Sequence, residues 1–128
     1  MKDNTILLRQ VHPAFIQGER ISDQVFSSQV FKPTQKDNGL LSTYNGDEFD
    51  AISAYEHFVS MEIGTSIGVV GVSHQECKNV SLNVIADNIP FKGHCSIDYT
   101  GLSQNEVSKK SKVLKVFASQ RGWLYRKN

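Results

Sequence analysis

Apolar and polar positions along this chain change rhythm several times, and each change marks an element. Thr5-Ile6-Leu7-Leu8-Arg9-Gln10-Val11 reads as a first strand. His12-Pro13 ends it, because the residue before a proline is pushed out of helical space. Gly18 marks a turn, and Val25 to Phe31 is apolar and β-prone with serines embedded, consistent with a short strand or an ordered loop. Pro33 to Gly39 has loop chemistry, and Leu40-Leu41-Ser42-Thr43-Tyr44 is a second strand closed by the turn Asn45-Gly46-Asp47. Asp50 to Ser60 reads as a helix capped by Asp50, with Ile52, Tyr55 and Val59 on one face.

Ile67-Gly68-Val69-Val70-Gly71-Val72 is the most strand-like run. Its continuous apolar character predicts burial on both faces, and its glycines predict close packing against a neighbour. Ser73 and Glu76 form a Ser-x-x-Glu capping box that starts a short helix, Ser73 to Val80. Leu82 to Ala86 is a weaker strand, Asp87 to Gly93 a loop, and His94 to Tyr99 alternates as another strand. A second capping box, Ser103 and Glu106, opens the longest helix. Its stripe runs through Val107, Leu114, Phe117 or Ala118, and Arg121, and Gly122 stops it. Trp123-Leu124-Tyr125 can return as a terminal strand. The pattern predicts one α+β domain over residues 1–128: a single mixed β-sheet, about three helices on one side of it, the longest at the C-terminus.

Length and composition agree with that picture. A chain of 128 residues, 39% hydrophobic and 21% charged, suits one core and is unlike a disordered segment. No apolar run reaches the ~20 residues that a membrane-spanning helix needs. Met1-Lys2-Asp3-Asn4 precedes only a short apolar run, so the expected location is cytoplasmic. Cys77 and Cys95 are too few for a disulfide framework. Charge changes the picture more. From Ser103 onward seven Lys or Arg face the single acid Glu106, giving +6 against −5 for the rest, which sums to the net +1. Such polarity marks either a solvated basic helix or a surface for an acidic partner.

Candidate chemistry is sparse. His74-x-x-Cys77 with His94-Cys95 has the ligand types of a zinc site. Adjacent strand residues point to opposite faces, however, so no metal and no cofactor is expected. His94, Cys95 and Asp98, with His12 or His57 as a further base, have the residue types of a thiol hydrolase, but nothing fixes their geometry. No Gly-x-Ser-x-Gly elbow and no phosphate-cradling glycine motif is present. Arg9, His12, Ser27, Ser28, Asp37 and Ser42 form a polar set able to hold a phosphate or nucleotide. The alternative is that Arg9 pairs with a carboxylate and the serines satisfy loop backbone. Lys109, Lys112, Lys115 and Arg126, mixed with Trp123 and Tyr125, are candidate nucleic-acid contacts.

The combination Arg9…His12-Pro13, Ser27-Ser28-x-x-Phe31-x-Pro33, Asp37, Leu41-Ser42 and His94-x-x-Ile97 resembles a group of small bacterial proteins of no known activity. The resemblance runs from about Leu7 to Tyr125. It implies a bacterial or phage origin and a coherent single domain, with Arg9, Ser27, Ser28, Asp37, Ser42 and His94 as the matching positions. The leading expectation is a non-enzymatic accessory or binding module in a bacterial multi-protein system, an antiphage or toxin-linked one among the candidates. Its partner would be another protein, with nucleic acid as the second class and no membrane. The competing expectation is a small enzyme acting on a nucleotide or nucleic acid. It requires Arg9, His12, Ser28 and His94 to converge on one cleft.

Overall fold

A computed structural model describes residues 1–16, 26–34 and 37–127. The turn expected at Gly18 and the first residue of the Val25 to Phe31 segment lie outside these. Among the described residues six strands form one sheet: β1 (Ile6–Gln10), β2 (Leu40–Asn45), β3 (Gly68–Ser73), β4 (Asn83–Ile85), β5 (His94–Asp98) and β6 (Tyr125–Arg126). Three α-helices among the same residues accompany it: α1 (Ala51–Ser60), α2 (His74–Asn79) and α3 (Gln104–Arg121). The strand order is β4-β5-β2-β1-β3-β6, and every pairing is antiparallel. The fold is thus α+β, with one sheet and the longest helix last, and the sheet is narrower in type than the mixed one expected.

The starts and stops are where local chemistry puts them. Asp50 caps α1 by accepting from Ser53 N–H at 2.8 Å, and Ser73 caps α2 by accepting from Glu76 N–H at 3.0 Å. Ser103 does the same for α3, and Gly122, at φ 83°, ends it. The segment before Pro33 is neither strand nor plain loop. Ile16 and Phe26 make one isolated bridge, and Ser28–Phe31 is a 3₁₀ turn that buries Val30 and Phe31.

The helices occupy both sides of the sheet and not one. Leu7, Val70 and Val72 pack with Phe31, Leu114 and Ala118 beneath α3, while their neighbours Leu8 and Val69 pack with Tyr44 and Ala54 beneath α1. Alternation along a strand sends neighbouring side chains to opposite faces, so β1 and β3 feed two cores at once. All six residues of β3 are buried, as its unbroken apolar run predicts. Its glycines are tight as well: a Cβ on Gly68 would stand 2.5 Å from the Tyr125 carbonyl oxygen and 2.8 Å from the Trp123 ring.

Helix α1 splits the face read from its spacing, Tyr55 packing inward while Ile52 and Val59 do not. Ala54 is fully buried and Ala51, Tyr55 and Phe58 pack against the sheet, whereas Ile52 and Val59 are 53% and 44% exposed. The helix carries two apolar stripes, and the one with the small alanines lets the backbone approach the sheet. Helix α3 behaves as read, with Ser111, Leu114 and Ala118 buried along its inner line.

Candidate functional site

Strands β1 and β2 pair at only two positions, Leu7 with Asn45 and Leu8 with Tyr44. Beyond Leu8 side chains replace the ladder. Arg9 Nε donates to the Val30 carbonyl at 2.7 Å, and its Nη1 donates to the Ser42 carbonyl at 3.0 Å. Gln10 Nε2 donates to the Ala54 carbonyl at 3.0 Å, and Gln10 Oε1 accepts from Ser66 Oγ at 2.7 Å. One side chain therefore ties β1 to the 3₁₀ turn and to β2, and the next ties it to α1. Burial pulls the Arg9 pKa down from its ordinary value, with the charge of Asp37 opposing.

Where these strands part, a cleft of about 100 Å³ opens among Leu8, Arg9, Gln10, Ser42, Tyr44, Phe58, Met61, Ile63, Pro90, Phe91 and His94. Its walls are mainly apolar. His94 stands opposite Tyr44 in the β2–β5 ladder. Its Nδ1 lies 2.6 Å from Asp87 Oδ1, and Asp87 Oδ2 accepts from Ser96 Oγ at 2.7 Å. Residues 94 and 96 share a strand face, so one loop carboxylate meets both. Burial raises the Asp87 pKa, but the hydrogen bonds from His94 and Ser96 outweigh it and hold the carboxyl below its ordinary value. With Asp87 accepting at Nδ1–H, a neutral His94 keeps its lone pair on Nε2.

Aromatic rings pack beside this pair. Phe91 stands edge-on to His94 at 5.3 Å and 4.4 Å from the His57 ring. The Tyr44 hydroxyl lies 2.9 Å from His57 Nδ1, and burial pushes the Tyr44 phenol well above its ordinary value.

Of the residues singled out in the sequence, Arg9, Ser42 and His94 line this one cleft. His12 lines an adjoining hollow with Arg9, Gln10 and Phe58, and its Nδ1 accepts the Ala14 N–H at 3.0 Å. Ser27 and Ser28 are elsewhere. Ser27 caps the 3₁₀ turn by accepting from Gln29 N–H at 3.0 Å, and Ser28 is the first residue of that turn. Asp37 accepts from the Thr34 N–H and hydroxyl at 2.7 and 2.9 Å. Ser27 and Asp37 thus hold local groups in place. Asp87, Ser96, Gln10 and Phe91 carry no motif. Only the spacing of His94 and Ser96 on an alternating strand hints at a shared partner.

Cys95 faces the α3 core while His94 faces α1. Among the described residues no three His, Cys, Asp or Glu side chains gather as metal ligands would. No helix among them is long and apolar enough to cross a membrane.

The basic C-terminal set separates too. Lys109 and Lys112 are exposed and Lys115 is half-buried on α3. Arg126 instead lies over the Trp123 ring at 4.6 Å, and Trp123 packs edge-on against Phe26. Tyr125 packs on Tyr55 at 4.8 Å. Trp123 and Tyr125 are each half-buried against these neighbours. No family model, curated protein or solved structure matches the chain.

Proposed function

We propose that this chain is a binding module whose contact surface is the outer face of α1 and the cleft at its end. One observation carries the reading: α1 turns Ile52 and Val59 outward, and Ile63 follows at 71% exposure. A helix that is apolar on both sides is normally covered on both. Ile89, 73% exposed, extends the apolar surface next to Pro90 and Phe91 at the rim of the cleft. Exposed large apolar side chains grouped along one helix face are what protein contacts use. The cleft suits an anchoring side chain. At about 100 Å³ it is well below the roughly 300–1,000 Å³ typical of pockets that enclose a nucleotide-sized ligand.

The test is capture of cross-linked partners from the native host with the tagged wild type and with an Ile52→Glu/Val59→Glu variant. Both substituted positions are exposed, and circular dichroism checks that the variant is folded. A protein retained by the wild type and released by the variant is expected. Capture of nothing, or of partners indifferent to the substitution, overturns the reading.

A small enzyme is the second reading, and one observation favours it. His94, oriented by Asp87, lines the same cleft as Arg9 and Ser42, which is the composition of a base beside a hydroxyl and a cation. Against it, Arg9 is committed to two main-chain carbonyls and Ser28 is not in the cleft. Turnover of a nucleotide lost in His94→Gln would bring it forward, and no turnover across nucleotide and oligonucleotide substrates would remove it.

A further inference from the structure

The outer line of α3 matches what the outer line of α1 lacks. Lys109, Lys112, Val113 and Val116 are exposed along it, the valines by 39% and 49%. Their spacing of three, four and seven residues puts them on one stripe. On α1, Ile52, Glu56 and Val59 make the corresponding stripe, and Glu62 and Ile63 continue it. Signs are opposite as well. Between Lys36 and Lys78 the sequence has no lysine or arginine, while the exposed Glu56 and Glu62 stand on the α1 stripe and the exposed Asp47, Glu48 and Asp50 precede the helix.

We propose that copies of this chain associate head to tail, the α3 stripe of one seated on the α1 stripe of the next. The proposal rests on α1 being a contact surface, and it names the occupant as a second copy. Valines then meet isoleucine and valine at the centre, while Lys109 and Lys112 meet Glu56 and Glu62 at the rim. A two-fold pairing of α1 with α1 would set Glu56 against Glu56, and α3 with α3 would set lysine against lysine. Only the heterologous contact pairs opposite charges. The two helices lie on opposite sides of the sheet. A copy can therefore give α3 to one neighbour while receiving another on α1, and the assembly grows by addition and does not close as a dimer. Helix-on-helix contact is smaller than a standard stable interface, so association is weak and concentration-dependent.

Sedimentation equilibrium tests this with the wild type, an α1 variant (Ile52→Glu/Val59→Glu) and an α3 variant (Val113→Glu/Val116→Glu). Wild-type mass is expected to rise with concentration, and association to weaken severalfold when salt goes from about 50 to about 500 mM, because exposed charge pairs are screened. Each variant alone should be monomeric. Mixed in equal amounts they should form a dimer that grows no further, since one intact α1 stripe meets one intact α3 stripe. A monomeric wild type at all concentrations, dimerisation of either variant alone, or no complex in the mixture overturns the proposal. A monomeric wild type that still holds a host protein through Ile52 and Val59 would sink the self-association and leave the binding-module reading standing.

Discussion

The Asp87 carboxylate holds His94 by Nδ1 at 2.6 Å while taking the Ser96 hydroxyl on its other oxygen at 2.7 Å. That loop-to-strand tie sets the position of the cleft rim, because Pro90 and Phe91 lie between the two residues. Asp87→Asn keeps the shape and removes the charge. It is expected to cost on the order of 1 kcal/mol near neutral pH, the difference between a hydrogen bond to a charged group and one between neutral groups. The sign with pH follows from the depressed carboxyl. The folded state binds fewer protons than the unfolded, so Asp87's contribution is present above the ordinary carboxylate pKa and is lost as pH falls through the lower, folded value. Asp3, beside Lys78, and Asp50, at its cap, are depressed too and persist in the variant. Urea midpoints from about pH 6 down to about pH 2.5 should therefore converge for wild type and Asp87→Asn at the acid end. A constant gap would show that the charge is not what Asp87 contributes.

Arg9 is predicted to be a structural residue. Its two donors reach carbonyls on two different segments, Val30 and Ser42, and a lysine's single ammonium cannot reproduce that fork. Arg9→Lys should lose about 1–2 kcal/mol in urea unfolding although the charge is kept. If Arg9→Lys is neutral in stability, the arginine is free for a ligand and the enzyme reading gains.

Much of this fold was legible in the sequence because its local signals agree. Asp50, Ser73, Ser103 and Gly122 each mark a helix end that the backbone uses, and the unbroken run at β3 is buried on both faces. What was not legible depends on pairing. Ile52 and Val59 have helical spacing as good as that of Ala51, Ala54 and Phe58, and only the sheet decides which stripe it accepts. The cleft has the same origin. Arg9, Ser42 and His94 meet because β1 lies beside β2 and β2 beside β5, an order no single-sequence pattern encodes. Ser27 and Ser28 stand out as a pair, yet they differ in place: Ser27 caps the 3₁₀ turn and Ser28 is its first residue.

The Phe31 carbonyl is the buried hub between the 3₁₀ turn and α3. Tyr99 Oη donates to it at 2.5 Å, and Ser111 Oγ lies 3.1 Å from it and 2.6 Å from the Val107 carbonyl. Tyr99→Phe should cost about 1 kcal/mol. Ser111→Ala should be near neutral, since alanine's higher helix propensity offsets the lost bond. The double variant should cost more than the sum, because the carbonyl then loses both donors. A thermodynamic cycle by urea unfolding measures the coupling, and simple additivity would refute a shared acceptor.

Glu62 follows the end of α1 with φ 55°, in the left-handed region where glycine is at ease and a β-carbon is strained. Glu62→Gly is expected to stabilise the fold by about 0.5–1 kcal/mol, relief of that strain exceeding the greater freedom of glycine in the unfolded chain. The check is a rise in the urea midpoint with an unchanged slope. A fall would mean that the carboxylate, and not the backbone, sets stability at this turn.

Neither cysteine should behave as a nucleophile. Burial pushes the Cys77 thiol up to about 12, with the charge of Glu76 adding to it, and burial pushes Cys95 to about 11, with Asp87 adding. At about pH 8 the thiolate fractions are then on the order of one in ten thousand and one in a thousand. Both side chains also lie in the core beneath α3, where a reagent cannot approach without opening the fold. Native protein should therefore leave Ellman's reagent unreacted over minutes, and two thiols should titrate at once in urea. Rapid native reaction at Cys95 would mean that the strand beside His94 opens readily, and a thiol chemistry at the His94 edge would have to be considered again.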